Sequence, residues 1–377
     1  MRILIDFTQI PLKKVGVGVY ALHLIKWIEQ LDEENQYYLL IQGDDDCFAD
    51  INTDKIKFLQ VNSKIFRQFA FRILLEQLYI PYLILKHRIK IVHSLHYSFP
   101  LVSFFANRVV TIHDLTYFLY PELHQFAKRY YFRLFTHLAA KYGERIICVS
   151  KSTKKDFLAF TKADENKVKV VHLGIDKIIP EITFEQQMDT CSKYGISNSK
   201  KIILFIGTLE PRKNIATILR SFATFQKISK NYQLVLVGGK GWYYSDFYNI
   251  ASKMKTGDIV FTGFIDEFEK QILLSCANIF VYPSIYEGFG IPVLESLSHK
   301  IPTITSNVSS MPEVAGDAAL LINPASEEEM LAAFLKLAND QQLRDLLTSK
   351  CFAQVELFSW SKTAKETINI YNSIISH

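Results

Sequence analysis

Two glutamates bracket a glycine turn in the run Tyr286-Glu287-Gly288-Phe289-Gly290-Ile291-Pro292-Val293-Leu294-Glu295. Ahead of it lies Ala277-Asn-Ile-Phe-Val-Tyr-Pro283, apolar and of the length of a buried strand, and Pro292 opens a helical pattern behind it. Glycines between a strand and a helix let backbone N–H groups approach a ligand closely, and a helix N-terminus favours an anion. A phosphate would sit on the backbone of Gly288, Phe289, Gly290 and Ile291. Glu287 and Glu295 would accept hydrogen bonds from hydroxyls on either side. That donor set suits a nucleotide that carries a sugar.

Other segments offer compatible chemistry. Gly207 follows the apolar run Lys201–Ile206, and Arg212 and Lys213 come just before the next helical pattern. A planar guanidinium and an ammonium point charge there make a clamp for a diphosphate. Near the start, Gly16-Val-Gly18 with Ala21 matches a dinucleotide fingerprint. The stretch from Thr8 to Val15 is longer than that fingerprint's tight turn allows, so the glycines are read as a loop touching phosphate or acceptor. His113 closes the run Arg108–His113 at the strand edge where open α/β sheets bind ligands, and His93 and His96 are candidates on the acceptor side. Asp44-x-Asp46 has metal-ligand spacing but no companion ligand nearby, and is read as a solvated loop.

The elements that must hold these residues alternate between short apolar runs and helical patterns through both halves of the chain. That pattern predicts parallel α/β sheets. A length of 377 residues favours two domains, and 49% hydrophobic with 21% charged residues marks a globular chain. The five cysteines are scattered without metal-ligand spacing, which predicts a reducing compartment and no zinc site. The opening run Met1–Asp6 is too short for a secretory signal, and no apolar stretch is long enough to span a membrane. The basic excess behind the net charge of +5 lies in residues 1–180. Within it, residues 64–90 interleave Lys64, Arg67, Arg72, Lys86, Arg88 and Lys90 with aromatic and aliphatic residues, and Pro81 is expected to divide them into two helices. Such a segment either packs on its own sheet or lies on a membrane surface, and the basic first half favours the membrane. Basic residues are dispersed and match no nucleic-acid module, so nucleic acid is not an expected partner.

Glu-x7-Glu around Gly-Phe-Gly, together with Gly-x-Leu-Glu-Pro-Arg-Lys-Asn at 207–214 and Ile-His-Asp-Leu at 112–115, resembles the retaining GT-B glycosyltransferases of family 4. The run Ser306-Asn-Val-Ser-Ser-Met-Pro-Glu-Val-Ala-Gly316 extends the likeness towards bacterial mannosyltransferases of O-antigen and capsule assembly. The resemblance implies two Rossmann-like domains facing a cleft: residues 1–180 binding the acceptor, a linker at 181–199, residues 200–357 binding the nucleotide sugar, and 358–377 as a helix returning to the first domain. It implies that Glu295 holds the ribose, Glu287 the donor sugar, and Phe264 and Ile265 the base. His113 would reach the sugar, and Arg212 and Lys213 would meet the leaving diphosphate. No metal or cofactor is expected beyond the donor, with GDP-mannose favoured over UDP- or dTDP-sugars. The expected acceptor is a lipid-linked or growing oligosaccharide, met by a cytoplasmic enzyme touching the inner membrane face. A nucleotide-sugar epimerase on the same fold and a non-catalytic sugar sensor are the competing readings.

Overall fold

The computed structural model describes residues 1–375 apart from 13, 52, 67, 177–179, 242, 243, 255 and 256. Arg67 of the basic segment therefore lies outside the described residues. The chain divides into two units. One holds Met1–Gly174 with the helix Trp360–Ile375, and the other holds Ile175–Ser359.

In the first unit seven strands form one all-parallel sheet. They are β1 (Arg2–Asp6), β2 (Gln36–Gln42), β3 (Ile56–Val61), β4 (Ile91–Ser94), β5 (Asn107–Ile112), β6 (Arg145–Cys148) and β7 (Val168–Val170). Their spatial order is β3-β2-β1-β4-β5-β6-β7. The central runs are apolar on both faces because helices cover both. On one face Leu4 and Val92 pack with Leu75, Ile80, Leu83 and Ile84. The helix Val17–Leu31 packs against Trp360–Ile375. Tyr371 of that last helix reaches His93 Nδ1 at 2.5 Å, and Thr363 donates to the His172 carbonyl at 2.7 Å. The returning helix is thus part of the first unit's core.

The second unit repeats the design with β8 (Lys201–Ile206), β9 (Tyr232–Val237), β10 (Ile259–Gly263), β11 (Ala277–Tyr282), β12 (Thr303–Ser306) and β13 (Ala319–Ile322). Their order is β10-β9-β8-β11-β12-β13, again all parallel. Both sheets are doubly wound, as the alternation of elements predicts. In each, the strand order reverses beside the first strand, between β1 and β4 and between β8 and β11. Ligands of such sheets bind beyond the carboxyl ends of those strands.

Two local expectations need correction. The stretch read as a linker, 181–199, contains the helix Phe184–Lys193, which packs on the helix Glu267–Cys276. Thr183 and Gln186 close a reciprocal capping box at its start. Pro81 does not divide its segment either. Helical backbone runs from Phe69 to His87, with a π turn at Leu75–Tyr79 immediately before the proline. The wider turn accommodates a residue that cannot donate a backbone hydrogen bond.

Candidate active site

Beyond the carboxyl end of β8 the chain turns at Gly207 and enters a short 3-10 turn, Pro211–Lys213. Beyond β11 it runs through 283–290 into the helix Ile291–Ser298. These two connections flank the second unit's reversal point and bring Arg212, Lys213 and Glu287 together. Arg212 Nη1 donates to Glu287 Oε2 and to the Tyr286 carbonyl, both at 2.8 Å, while Nη2 donates to Glu210 Oε1 at 2.6 Å. Lys213 forms an ion pair with Glu287 Oε1 and donates to Tyr282 Oη at 2.6 Å. Tyr282 in turn donates to Glu287 Oε1 at 3.1 Å.

Lys213 and Glu287 are buried. Burial works against the Glu287 charge, but Arg212 and Lys213 outweigh it and hold the carboxyl down to about 2. Glu287 is therefore a carboxylate with both oxygens engaged. Ser309 and Ser310 accept the task of shaping the turn: each hydroxyl donates to the Glu287 carbonyl, at 2.6 and 2.9 Å. Ser310 also reaches the Phe289 carbonyl at 2.5 Å. Phe289 is buried edge-on against Phe358, with ring centroids 5.5 Å apart. Gly290 stands at φ 123° before Ile291, where a Cβ would come within 2.4 Å of the Met311 methyl. Only glycine fits there.

Glu295 lies on the helix Ile291–Ser298, away from that ion cluster, and pairs with Lys270 at 2.6 Å. Burial pushes the Glu295 carboxyl up, and Lys270 opposes it. Lys270 also pairs with Glu267 at 2.8 Å. Phe264 is exposed at the end of β10, whereas its neighbour Ile265 is buried. The turn at Gly207 lies directly under the one after β9, because a Cβ on Gly238 would sit 1.9 Å from the Gly207 carbonyl oxygen.

In the first unit, His113 follows β5 and is buried. Its Nε2 faces the Leu95 carbonyl at 2.9 Å. A carbonyl only accepts, so Nε2 carries the proton and Nδ1 is left as an acceptor. Burial holds the ring neutral, with its pKa lowered to about 4. Gly16 precedes the helix Val17–Leu31, and Gly18 is buried in that helix's first turn. His93 belongs to the core, bridging Tyr371 and Thr111. Its reading as an acceptor-side group does not fit this position. A cavity of about 690 Å³ lined by Arg2, Gln36, Lys55 and Arg88 opens at the amino ends of the strands, remote from these residues.

Sequence reasoning quoted Glu210 within the 207–214 motif without giving it a task, and it missed Lys270 and Tyr282. Those two belong to no local pattern of chemistry-bearing residues, and strand register and helix packing bring them in.

Two family models match the chain: Glycosyltransferase Family 4 over residues 15–177 and Glycosyl transferases group 1 over residues 189–350. O-antigen chain mannosyltransferase B of Escherichia coli is 30% identical over 265 residues, covering 70% of this chain and 69% of that protein. The O-antigen chain mannosyltransferase RfbU of Salmonella typhimurium is 28% identical over 260 residues, covering 69% and 67%. Among solved structures, Anabaena HepE in complex with UDP and glucose superposes with a TM-score of 0.78 at 15% identity, over 99% of this chain and 100% of that one. Two doubly wound units of this kind define the GT-B class of glycosyltransferases. The chain belongs to glycosyltransferase family 4, and it is related there to mannosyltransferases.

Proposed function

We propose that this enzyme transfers mannose from GDP-mannose, with retention of configuration, to an oligosaccharide or lipid-linked acceptor in the assembly of a cell-surface polysaccharide. The observation that carries the reading is the ion cluster of Arg212, Lys213 and Glu287 beyond β8 and β11. The names of the two bacterial relatives favour mannose and an O-antigen type of acceptor.

In this mechanism Arg212 and Lys213 take up charge on the departing diphosphate, assisted by the helix N-terminus at Gly290 and Ile291. Those cations allow the reaction to run without a metal. The bond from the anomeric carbon to the diphosphate breaks, the acceptor oxygen bonds to that carbon from the same face, and its proton passes to a phosphate oxygen of the leaving group. Glu287 anchors donor-sugar hydroxyls. A carboxylate held near pKa 2 between two cations is a poor nucleophile, which favours anchoring over a covalent intermediate. Glu295 accepts the ribose hydroxyls, Phe264 and Ile265 contact the base, and the Nδ1 of His113 accepts from a sugar hydroxyl. Gly16, Gly18 and Gly207 give the ligand close backbone approach.

Contact with a membrane surface is part of the same reading. The helical run from Phe69 to His87 exposes Phe71, Leu74, Leu78, Tyr82 and Leu85 as a single stripe. Gln77 ties this run to the next exposed apolar segment, Leu101–Phe105, by bonds to the Phe99 carbonyl at 3.0 Å and the Leu101 N–H at 2.9 Å. Lys86, Arg88 and Lys90 flank the stripe, as anionic lipid requires. Among the described residues no helix is long and apolar enough to cross a membrane.

Calorimetric titration with GDP, UDP, dTDP and NAD in EDTA tests the donor. Selective binding of GDP is expected. Preference for UDP or dTDP would discard mannose as the favoured sugar, and binding of NAD alone would overturn the reading.

A further inference from the structure

Two of the five cysteines meet where the helix Phe184–Lys193 packs on the helix Glu267–Cys276. Side-chain bonds at both ends pin that packing. Gln187 Nε2 donates to Ser275 Oγ at 3.1 Å. At the other end Tyr194 Oη donates to Glu269 Oε2 at 2.7 Å, and Lys193 pairs with the same carboxylate. Gln187 and Cys191 are four residues apart and share a face of their helix, while Cys276 directly follows Ser275. The packing sets the Cys191 thiol against the Cys276 sulfur, to which it donates a hydrogen bond.

The pair is asymmetric. Cys191 is 4% exposed, whereas Cys276 is partly open to solvent. The bond from Cys191 lowers the Cys276 thiol below its ordinary value, against the opposing effect of burial, and Ser275 adds to it. The same bond and burial push Cys191 up. Burial raises each of the other three, Cys47, Cys148 and Cys351. A thiolate is the form that a peroxide oxidises, so reactivity concentrates at Cys276, with a second thiol in place to resolve the product. Among the described residues no group of three or more potential metal ligands forms, so the pair is a dithiol and not half of a zinc site. The helix that ends at Cys276 starts just after Phe264 and Ile265 and carries Lys270, the partner of Glu295. Lys270 and Cys276 are six residues apart, about 9 Å along the helix axis.

We propose that Cys191 and Cys276 form a reversible redox site, at which hydrogen peroxide closes a disulfide between the two helices and thereby weakens nucleotide binding. The Cys276 thiolate attacks one peroxide oxygen and the O–O bond breaks. Hydroxide leaves and takes up the proton that the thiol released, which gives water and a sulfenic acid. The Cys191 sulfur then displaces the hydroxyl from that sulfenic acid, and a second water forms with the Cys191 proton. Two thiols are oxidised, one peroxide is reduced to two waters, and a dithiol reductant reverses the change by exchange. The bond ties the end of the helix that carries Lys270 to a neighbouring helix, and so acts on the Lys270–Glu295 pair. That coupling rests on the assignment of Glu295 to the ribose, whereas the disulfide itself does not.

Peptide mass mapping of the full chain tests the chemistry. Reduced protein is treated with hydrogen peroxide at pH 7, denatured and alkylated. A peptide pair joined through Cys191 and Cys276 is expected, with Cys47, Cys148 and Cys351 alkylated, and dithiothreitol should release it. In Cys191→Ser the reaction should stop at a sulfenic acid on Cys276 that dimedone captures, and in Cys276→Ser Cys191 should stay alkylated. Calorimetry with GDP, and with UDP in parallel, reads the coupling. Oxidation should weaken nucleotide binding of the parent about fivefold or more and leave that of either variant unchanged. Melting curves accompany both variants, and the partly exposed Cys276→Ser keeps the test open if the buried Cys191→Ser fails to fold. Alkylation of both Cys191 and Cys276 after peroxide treatment, with no joined peptide, overturns the redox site. A joined peptide with unchanged nucleotide affinity overturns its coupling to the donor. A parent that binds no nucleotide in either state overturns the transfer reading instead, while the mass map still decides the disulfide.

Discussion

Glu287 keeps its charge inside the fold because two cations oppose its burial, and this has a measurable cost in acid. Its pKa is lowered from 4.5 to about 2, so its contribution to stability is complete above pH 4.5 and is lost as the pH falls towards 2. The linked free energy is on the order of 3 kcal/mol. Glu287→Gln should flatten the fall in stability across that window in denaturant titrations, and should destabilise the protein at pH 7 by about 3 kcal/mol because it leaves buried cations underpaired. Arg212 and Glu295 should separate cleanly in kinetics. Arg212→Ala is expected to lower kcat by about a hundredfold or more while nucleotide affinity changes less. Glu295→Ala is expected to weaken nucleotide binding about tenfold with a smaller effect on kcat, since it removes a charged acceptor. The reverse pattern would exchange their assigned roles. At this scale the sequence was most readable where residues are near neighbours in the chain. Glycine and acid spacing marked Glu287 and Glu295, and adjacency marked Arg212 and Lys213. Tyr282 read only as strand core, because the contacts that give it another task come from distant segments.

Among the elements, the helical run from Phe69 to His87 has one face in the core and another bare. Leu75, Ile80, Leu83 and Ile84 are buried, whereas Phe71, Leu74, Leu78, Tyr82 and Leu85 are exposed. Replacing Leu78 and Tyr82 together by glutamate should abolish sedimentation with anionic liposomes. Each exposed change should shift stability by less than about 0.5 kcal/mol, so melting curves distinguish lost lipid contact from misfolding. Retained sedimentation would remove the stripe from the proposed membrane surface. Sequence patterning foresaw the amphipathic character but not the continuity through Pro81, since a π turn leaves no residue signature beyond the proline itself. The helix Phe184–Lys193 was also missed. Its capping box at Thr183 and Gln186 was legible, but few of its residues are apolar enough to advertise a buried face.

Across the whole molecule the two sheets share a strand order, yet their buried titratable groups differ. The first unit encloses neutral His93 and His113, lowered by burial from 6.5 to about 3 and about 4. An unfolded chain would protonate both below pH 6.5, so their stabilising effect is complete above that pH and is lost as the pH falls towards 4. Each costs about 1.4 kcal/mol per pH unit over that range. The second unit has His299, lowered by burial as well but only partly enclosed, and Glu287, which responds in stronger acid. Melting temperature should therefore drop between pH 6.5 and pH 5, and the drop should be smaller in His93→Gln. An unchanged drop would show that His93 is not a source of the acid response. The doubly wound plan was evident from alternating apolar runs, whereas the burial of His93 depends on Tyr371, far along the chain, and no local pattern announces it.

The bond between His93 and Tyr371 also bears on how the protein is made. A ribosome delivers the first unit's seven strands early, but the helix that completes their core is translated only after the entire second unit. At about 5–20 residues per second that delay is on the order of ten seconds or more. During it, the surface of Val17–Leu31 that receives Trp360–Ile375 stays uncovered, while the second unit, continuous in the chain, can close as soon as it emerges. The part of the enzyme born first is thus the part finished last.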